Sequence, residues 1–180
     1  MGIVSNLVLF KIVWLASLIG AGTQRPWLGL LLLLGFLAWH FGGSKSRVAD
    51  ALLLLTAALT GLVVDTLFIQ AGFLIYAEPM PWAQIAPFWI LVMWMNFALT
   101  LNASMRWLQG RYIVSAMLGA IGGPLAYLAG IELGAAQWNA PPAAVMGGIG
   151  LTWAIAVPLL AATAARLNQK EEKKVPGLAF

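Results

Sequence analysis

Polar residues interrupt this chain rarely and in clusters. Between the clusters run stretches without a single charge, at residues 27–39, 51–64 and 143–165. An apolar helix of about 20 residues crosses a bilayer, so several in succession predict an all-α, multi-pass membrane fold. Six spans are expected, at about 3–21, 27–41, 49–77, 84–105, 112–134 and 143–168. The breaks between them are a turn at 22–26, the loop Gly42-Gly43-Ser44-Lys45-Ser46-Arg47, Pro79 with Pro81, and Pro141-Pro142. This gives one six-helix domain, 1–168, and a polar cytoplasmic tail, 169–180.

The third run is the ambiguous one. It is long enough for one tilted helix, or for two short ones broken near Asp65 or Gly72. Charge decides, because Lys and Arg gather in cytoplasmic loops. Six spans with a cytoplasmic N-terminus place Lys45, Arg47, Arg106, Arg111, Arg166, Lys170, Lys173 and Lys174 inside and Arg25 alone outside. Lys11 falls within the first span. A seventh helix would move the later basic loops outside, so six spans with both termini cytoplasmic are predicted. The first run lacks the basic flank of a signal peptide and reads as a retained helix. Trp27, Trp82 and Trp138 then fall at outer ends, and Trp39 and Trp107 at inner ends, as an aromatic belt requires. Trp14, Trp89, Trp94 and Trp153 lie deeper, as fillers between helices. A division into three helices per half suggests an inverted repeat, but residues 1–83 and 84–168 show no residue-level match.

Composition narrows the class. Hydrophobic residues make up 62% and charged residues 9%, against about 25% charged in soluble domains. The net charge of +4 is small and dispersed, which argues against nucleic acid. With no cysteine, disulfides and thiolate chemistry are excluded.

Ionisable groups inside a membrane are the first functional suspects. Asp65 leads, about 15 residues into its span and near mid-depth. Asn96 and Tyr127 are expected at a similar depth. Asn102 and Arg106, four apart, share a helix face nearer the cytoplasm. These five form the candidate ligand site. Lys11 is placed to reach the inner region or to snorkel to the head groups. In the fifth span Gly119, Gly123, Gly130 and Gly134 have GxxxG spacing, which suits close helix packing, and Pro124 removes a backbone donor. Glu78 and Glu132 form a wet rim near Trp82, Trp138 and Asn139. The inner basic cluster suits anionic lipid head groups. His40 is the lone histidine, at an inner helix end, and Ser44 has no base to pair with. No metal set, phosphate loop or dinucleotide fingerprint appears, so neither catalysis by this chain alone nor a cofactor is expected.

The string Thr100-Leu101-Asn102-Ala103-Ser104-Met105-Arg106-Trp107-Leu108, with Gly119-Ala120-Ile121-Gly122-Gly123-Pro124-Leu125-Ala126-Tyr127-Leu128-Ala129-Gly130, resembles a bacterial multi-pass family. Trp14 through Gly20, Pro26-Trp27-Leu28-Gly29 and Asp65 share the likeness, which covers roughly residues 5–165. The family is catalogued as domain of unknown function 2878. The resemblance implies a bacterial inner-membrane protein with no settled activity. Members are encoded near fatty-acid-modifying enzymes and stress regulators, which points to membrane-lipid maintenance. The leading expectation is therefore binding of a lipid or other apolar small molecule, as an accessory to lipid modification or envelope stress. The rivals are a small proton-coupled transporter or substrate-capture subunit, and a structural subunit meeting a membrane-protein partner or a second copy.

Overall fold

In an apolar helix the outward face is as greasy as the inward one, and the long helices here show it. Residues 2–174 are described by a computed structural model. It has α1 (Ile3–Gly22), α2 (Trp27–Gly43), α3 (Arg47–Gln70), β1 (Leu74–Tyr76), α4 (Phe88–Leu101), α5 (Tyr112–Glu132), β2 (Ala136–Trp138) and α6 (Pro142–Lys174). Rows such as Leu52, Leu55, Leu59, Val63 and Leu67 on α3, or Leu151, Ile155 and Leu159 on α6, lie exposed. Among the described residues four helices, α1, α3, α5 and α6, are long and apolar enough to cross a bilayer. α2 and α4 are apolar but shorter, with 17 and 14 residues.

The helices alternate in direction. Asn6, near the start of α1, bonds to Leu99 O at the end of α4. Asn168, late in α6, bonds to Asn102 just after α4. At the other end Gly22 faces Leu133 and Gly134. One end, here the basic end, thus carries Lys45, Arg47, Arg106 and Arg111. The opposite, strand end carries Arg25 and a two-stranded antiparallel sheet, β1 against β2.

Three expected boundaries move. The third run ends at Gln70, not residue 77, because Gly72 adopts a left-handed φ of 69°. Gly72 N donates to Ile69 O and Phe73 N to Phe68 O, a Schellman stop, and the chain then extends into β1. The fourth span shrinks from 84–105 to Phe88–Leu101: Pro87 is extended just before the helix, and at the other end Ala103 N and Met105 N both turn back to Thr100 O. The sixth helix runs on through the expected tail to Lys174; residues 175–180 lie outside the described residues.

A repeat does exist, on other boundaries than the expected halves. Its unit is two helices with a strand between them: α3–β1–α4 and α5–β2–α6. Ile75 pairs with Gln137, a step of 62 residues (75 to 137). The same step carries Gly72 to Gly134, the second left-handed glycine, with φ 76°. It also carries every bond of the first Schellman stop onto the second, Gly134 N to Ile131 O and Ala135 N to Gly130 O. The flanking pair Ala77 N to Ala135 O and Asn139 N to Phe73 O is likewise reciprocal. A local two-fold axis therefore passes through the small sheet. Gly61 and Gly123 are also equivalents. A Cβ at Gly61 would overlap the Trp94 indole, and one at Gly123 would overlap Trp153. The two indoles stack on one another, with ring centroids 4.5 Å apart.

Pro124 sits within α5 without ending it. Gly150 of α6 lies over the carbonyl of Ala120, which Pro124 leaves without its helical donor; a Cβ there would stand 3.1 Å from that oxygen. Gly119 packs more tightly still, where a Cβ would overlap the Trp153 carbonyl.

Overpacking a filled contact costs about 1–3 kcal/mol. Gly61→Leu and Gly123→Leu are each expected to lower the unfolding midpoint in detergent clearly. Gly147→Ala, whose added Cβ meets nothing within 4 Å, is expected to leave it unchanged. Thermal unfolding followed by size-exclusion chromatography measures all three.

Candidate functional site

Asp65 is fully buried, and three elements bring it hydrogen bonds. Tyr76 of β1 donates to Oδ1 at 2.5 Å, Tyr127 of α5 to Oδ1 at 2.6 Å, and Trp94 Nε1 of α4 to Oδ2 at 2.8 Å. Asp65 and Tyr127 are equivalent positions of the repeat, 62 apart (65 to 127), so the local axis brings them face to face. Because α3 ends at Gln70, Asp65 lies about 8 Å below the strand end of that helix at 1.5 Å per residue.

Beside this group is a cavity of about 360 Å³, within the 300–1,000 Å³ range of small-molecule sites. Its walls are Trp89, Met93 and Phe97 of α4, Gly119, Gly122 and Tyr127 of α5, Phe10 and Trp14 of α1, and Trp153 of α6. The repeat explains why it exists. Across the axis α3 packs on α6, but the equivalent pair, α4 and α5, has no comparable interface. On the packed side Phe68 and Phe73 stack with centroids 6.1 Å apart, and Phe73 lies against Gly148. Their equivalents on the other side are Gly130 and Ala135, and both line the cavity. A pair of aromatic rings is missing there, and the space remains.

The cavity is mostly apolar, with two polar features. Trp153 Nε1 is buried and makes no hydrogen bond of normal length; the Tyr127 hydroxyl is the polar group beside it. Lys11 sits at the rim, its Nζ 5.0 Å from the Trp14 ring and 5.7 Å from the Phe10 ring. α1 packs on α2 and α4. It approaches α5 where Leu18 meets Gly130 and Gly22 meets Leu133, so the cavity lies behind a side of the bundle that α1 and α5 do not seal along their length.

The five candidate residues do not share one site. Asp65 and Tyr127 meet at the cavity. Asn96 points elsewhere: its Nδ2 donates to Phe10 O, pinning α1 to α4, and its Oδ1 has no partner. Asn102 and Arg106 lie at the basic end. Asn102 bonds to Asp50 at 2.8 Å, 15 residues down α3 from Asp65 (50 to 65), which is about 22 Å. Gly119, Gly123 and Gly130 pack within the chain, as described, and Gly134 forms its left-handed turn.

Residues 3–159 match the model of a family described as a protein of unknown function, DUF2878. The chain belongs to that family. No curated protein and no solved structure matches it.

In this DUF2878 chain the sequence reading passed over Asp50, which is the centre of the basic end. Its Oδ2 accepts from Ser44 Oγ at 2.5 Å and lies 2.9 Å from His40 Nε2. Its Oδ1 accepts from Asn102, whose own Oδ1 accepts from Gln109 and Asn168. Ser44, expected to stand apart from any base, shares a carboxylate oxygen with His40. Asp50 occupies the first turn of α3, where an acidic residue is ordinary, so its position alone gave no signal. The lone histidine and the polar loop, both near it in sequence, were the available clue.

Removing an acceptor from buried donors costs about 1–3 kcal/mol for each donor left unpaired. Asp65→Leu is therefore expected to destabilise more than Tyr76→Phe or Tyr127→Phe. A double-mutant cycle of Asp65→Asn with Tyr127→Phe should give a coupling of at least about 0.5 kcal/mol. Additive effects on the unfolding midpoint would show that the pair does not act as a unit.

Proposed function

We propose that this protein holds an apolar molecule with an oxygen-bearing end, an acyl lipid or fatty acid, in the cavity between α1, α4, α5 and α6. One observation carries the reading: a pocket of about 360 Å³ walled by aromatic rings and glycines, with the Trp153 indole, whose N–H lacks a hydrogen bond of normal length, in its wall and a lysine at its rim. Aromatic and aliphatic walls suit a hydrocarbon chain. The Trp153 N–H suits an acceptor oxygen, and Lys11 suits a carboxylate. The Asp65 carboxylate serves as a clamp, since its oxygens already accept three bonds. The role is binding and presentation, not chemistry by this chain alone, and the setting is lipid maintenance in a bacterial inner membrane.

The same reading has six membrane-crossing helices with both termini cytoplasmic. The alternation of helix direction and the gathering of basic residues at one end support it. α2 and α4 are about 26 and 21 Å long at 1.5 Å per residue, shorter than the roughly 30 Å hydrocarbon core. The irregular 77–87 segment and the small sheet complete the depth on the α4 side.

A conjugated-polyene fatty acid, whose emission is excited by nearby tryptophans, tests the cavity in detergent. Saturable energy transfer is expected in the wild type. Gly122→Phe fills the cavity from a position where an added Cβ meets nothing, and should weaken binding at least about tenfold, or 1.4 kcal/mol, with the unfolding midpoint kept. Lys11→Gln should weaken the acid but not its methyl ester. Binding unchanged by Gly122→Phe would defeat the reading. Topology has its own test, since the chain has no cysteine. Arg25→Cys should react with a membrane-impermeant maleimide on intact cells, and Arg111→Cys only after lysis.

A further inference from the structure

The basic end holds a second cavity of about 240 Å³. The loop Gly42-Gly43-Ser44-Lys45-Ser46 leads directly into α3, a helix of 24 residues. Ser46 occupies the N-cap position, yet its side chain caps nothing. Its hydroxyl is without a partner in a residue only 4% exposed. His40 Nδ1 is also without a partner, in a residue 7% exposed. Both residues line the cavity, as do Lys45 and Arg106.

These features share one chemistry. The first N–H groups of a helix have no partner within it, and the helix dipole adds positive potential there. Anions bind at such positions. Asp50 lies in the same turn, but its carboxylate is already held by Ser44, His40 and Asn102. Lys45 and Arg106 outweigh its charge. A buried hydroxyl, the exposed Lys45, the Arg106 guanidinium, itself engaged within the chain, and a helix N-terminus surround a space of small-anion size. A tetrahedral oxyanion with several acceptor oxygens matches that donor set.

We propose that this cavity binds a phosphate group, either the head group of an anionic phospholipid or free phosphate. It is separate from the apolar cavity and does not depend on the reading given for it. Asp50 and the amides around it then act as the frame that holds the Ser44–Ser46 loop in place.

The test uses the full chain in a neutral detergent, with two probes: inorganic phosphate and a water-soluble short-chain phosphatidylglycerol. Binding is read by titration calorimetry and by phosphorus NMR. Saturable binding of at least one probe is expected. Ser46→Ala and Lys45→Gln should each weaken it about tenfold or more, with Arg166→Gln as an unchanged control. Lipid that phosphate cannot displace assigns the site to a lipid head group; phosphate bound without lipid assigns it to the free ion. Ser46→Ala removes only an unpaired hydroxyl and Lys45 is exposed, so at least one of the pair will fold. Saturable binding of neither probe, or wild-type binding in the folded variants, overturns the proposal.

Discussion

A carboxylate placed inside an apolar bundle has to find its hydrogen bonds within the chain, and Asp65 finds them in three different elements. Tyr76 ties it to β1, Trp94 to α4 and Tyr127 to α5. Each bond crosses a joint that would otherwise rest on dispersion between small residues. The small sheet is fixed over the helix ends because Tyr76 reaches down from it. The Trp94–Trp153 stack is fixed because Trp94 has one preferred orientation, N–H toward Asp65. α1 lies outside this clamp. It is held to α4 by the amides of Asn6 and Asn96, and its flank toward α5 lacks an equivalent tie.

The repeat turns this clamp into a cavity. Two identical units would place two carboxylates, or two phenols, against each other on the local axis. Asp65 opposite Tyr127 gives one acceptor and one donor instead, at 2.6 Å. Once the two units differ there, they are released to differ elsewhere. Phe68 and Phe73 fill one side of the axis, while Gly130 and Ala135 leave the other side open. Symmetric backbone with asymmetric side-chain volume is a simple way to make a pocket, because the glycine turns and the sheet hold the frame whichever side is filled.

Much of this was legible in the sequence. The helices α1, α2 and α5 fall within two residues of the expected spans, because apolar runs bounded by polar or left-handed turns leave little choice. Tyr127 was expected at a depth similar to Asp65, and the two are hydrogen-bonded. α3 was expected to run to residue 77 and ends at Gln70. A run of apolar residues continues through Gly72, and periodicity alone does not separate a buried helix from a short strand. The repeat escaped because only glycines and a few aromatics mark it, and the assumed halves were the wrong length. Asn102 and Arg106 were expected nearer the cytoplasm than Asp65, and they lie at the basic end, too far from it to share its site. Asp50 escaped because an acid in a first helical turn is ordinary.

The conspicuous groups and the unsatisfied atoms are therefore not the same. Asp65 and Asp50 are the residues that stand out, and each accepts at least three hydrogen bonds from the protein itself. Both are frames. The atoms left wanting are Trp153 Nε1, Asn96 Oδ1, His40 Nδ1 and Ser46 Oγ, all buried without a hydrogen bond of normal length. Three of the four belong to residues that line a cavity. Buried polar groups are nearly always satisfied, so these exceptions, in residues of two cavities, are the observation on which both proposed ligand sites rest. The cavity by the strand end offers an N–H among aromatic rings, which suits an oxygen on a hydrocarbon. The cavity at the basic end offers a hydroxyl among cations at a helix start, which suits a phosphate. On the proposed readings one end of the bundle takes a chain and the other a charged head, and α3 runs between them from Asp50 to Asp65.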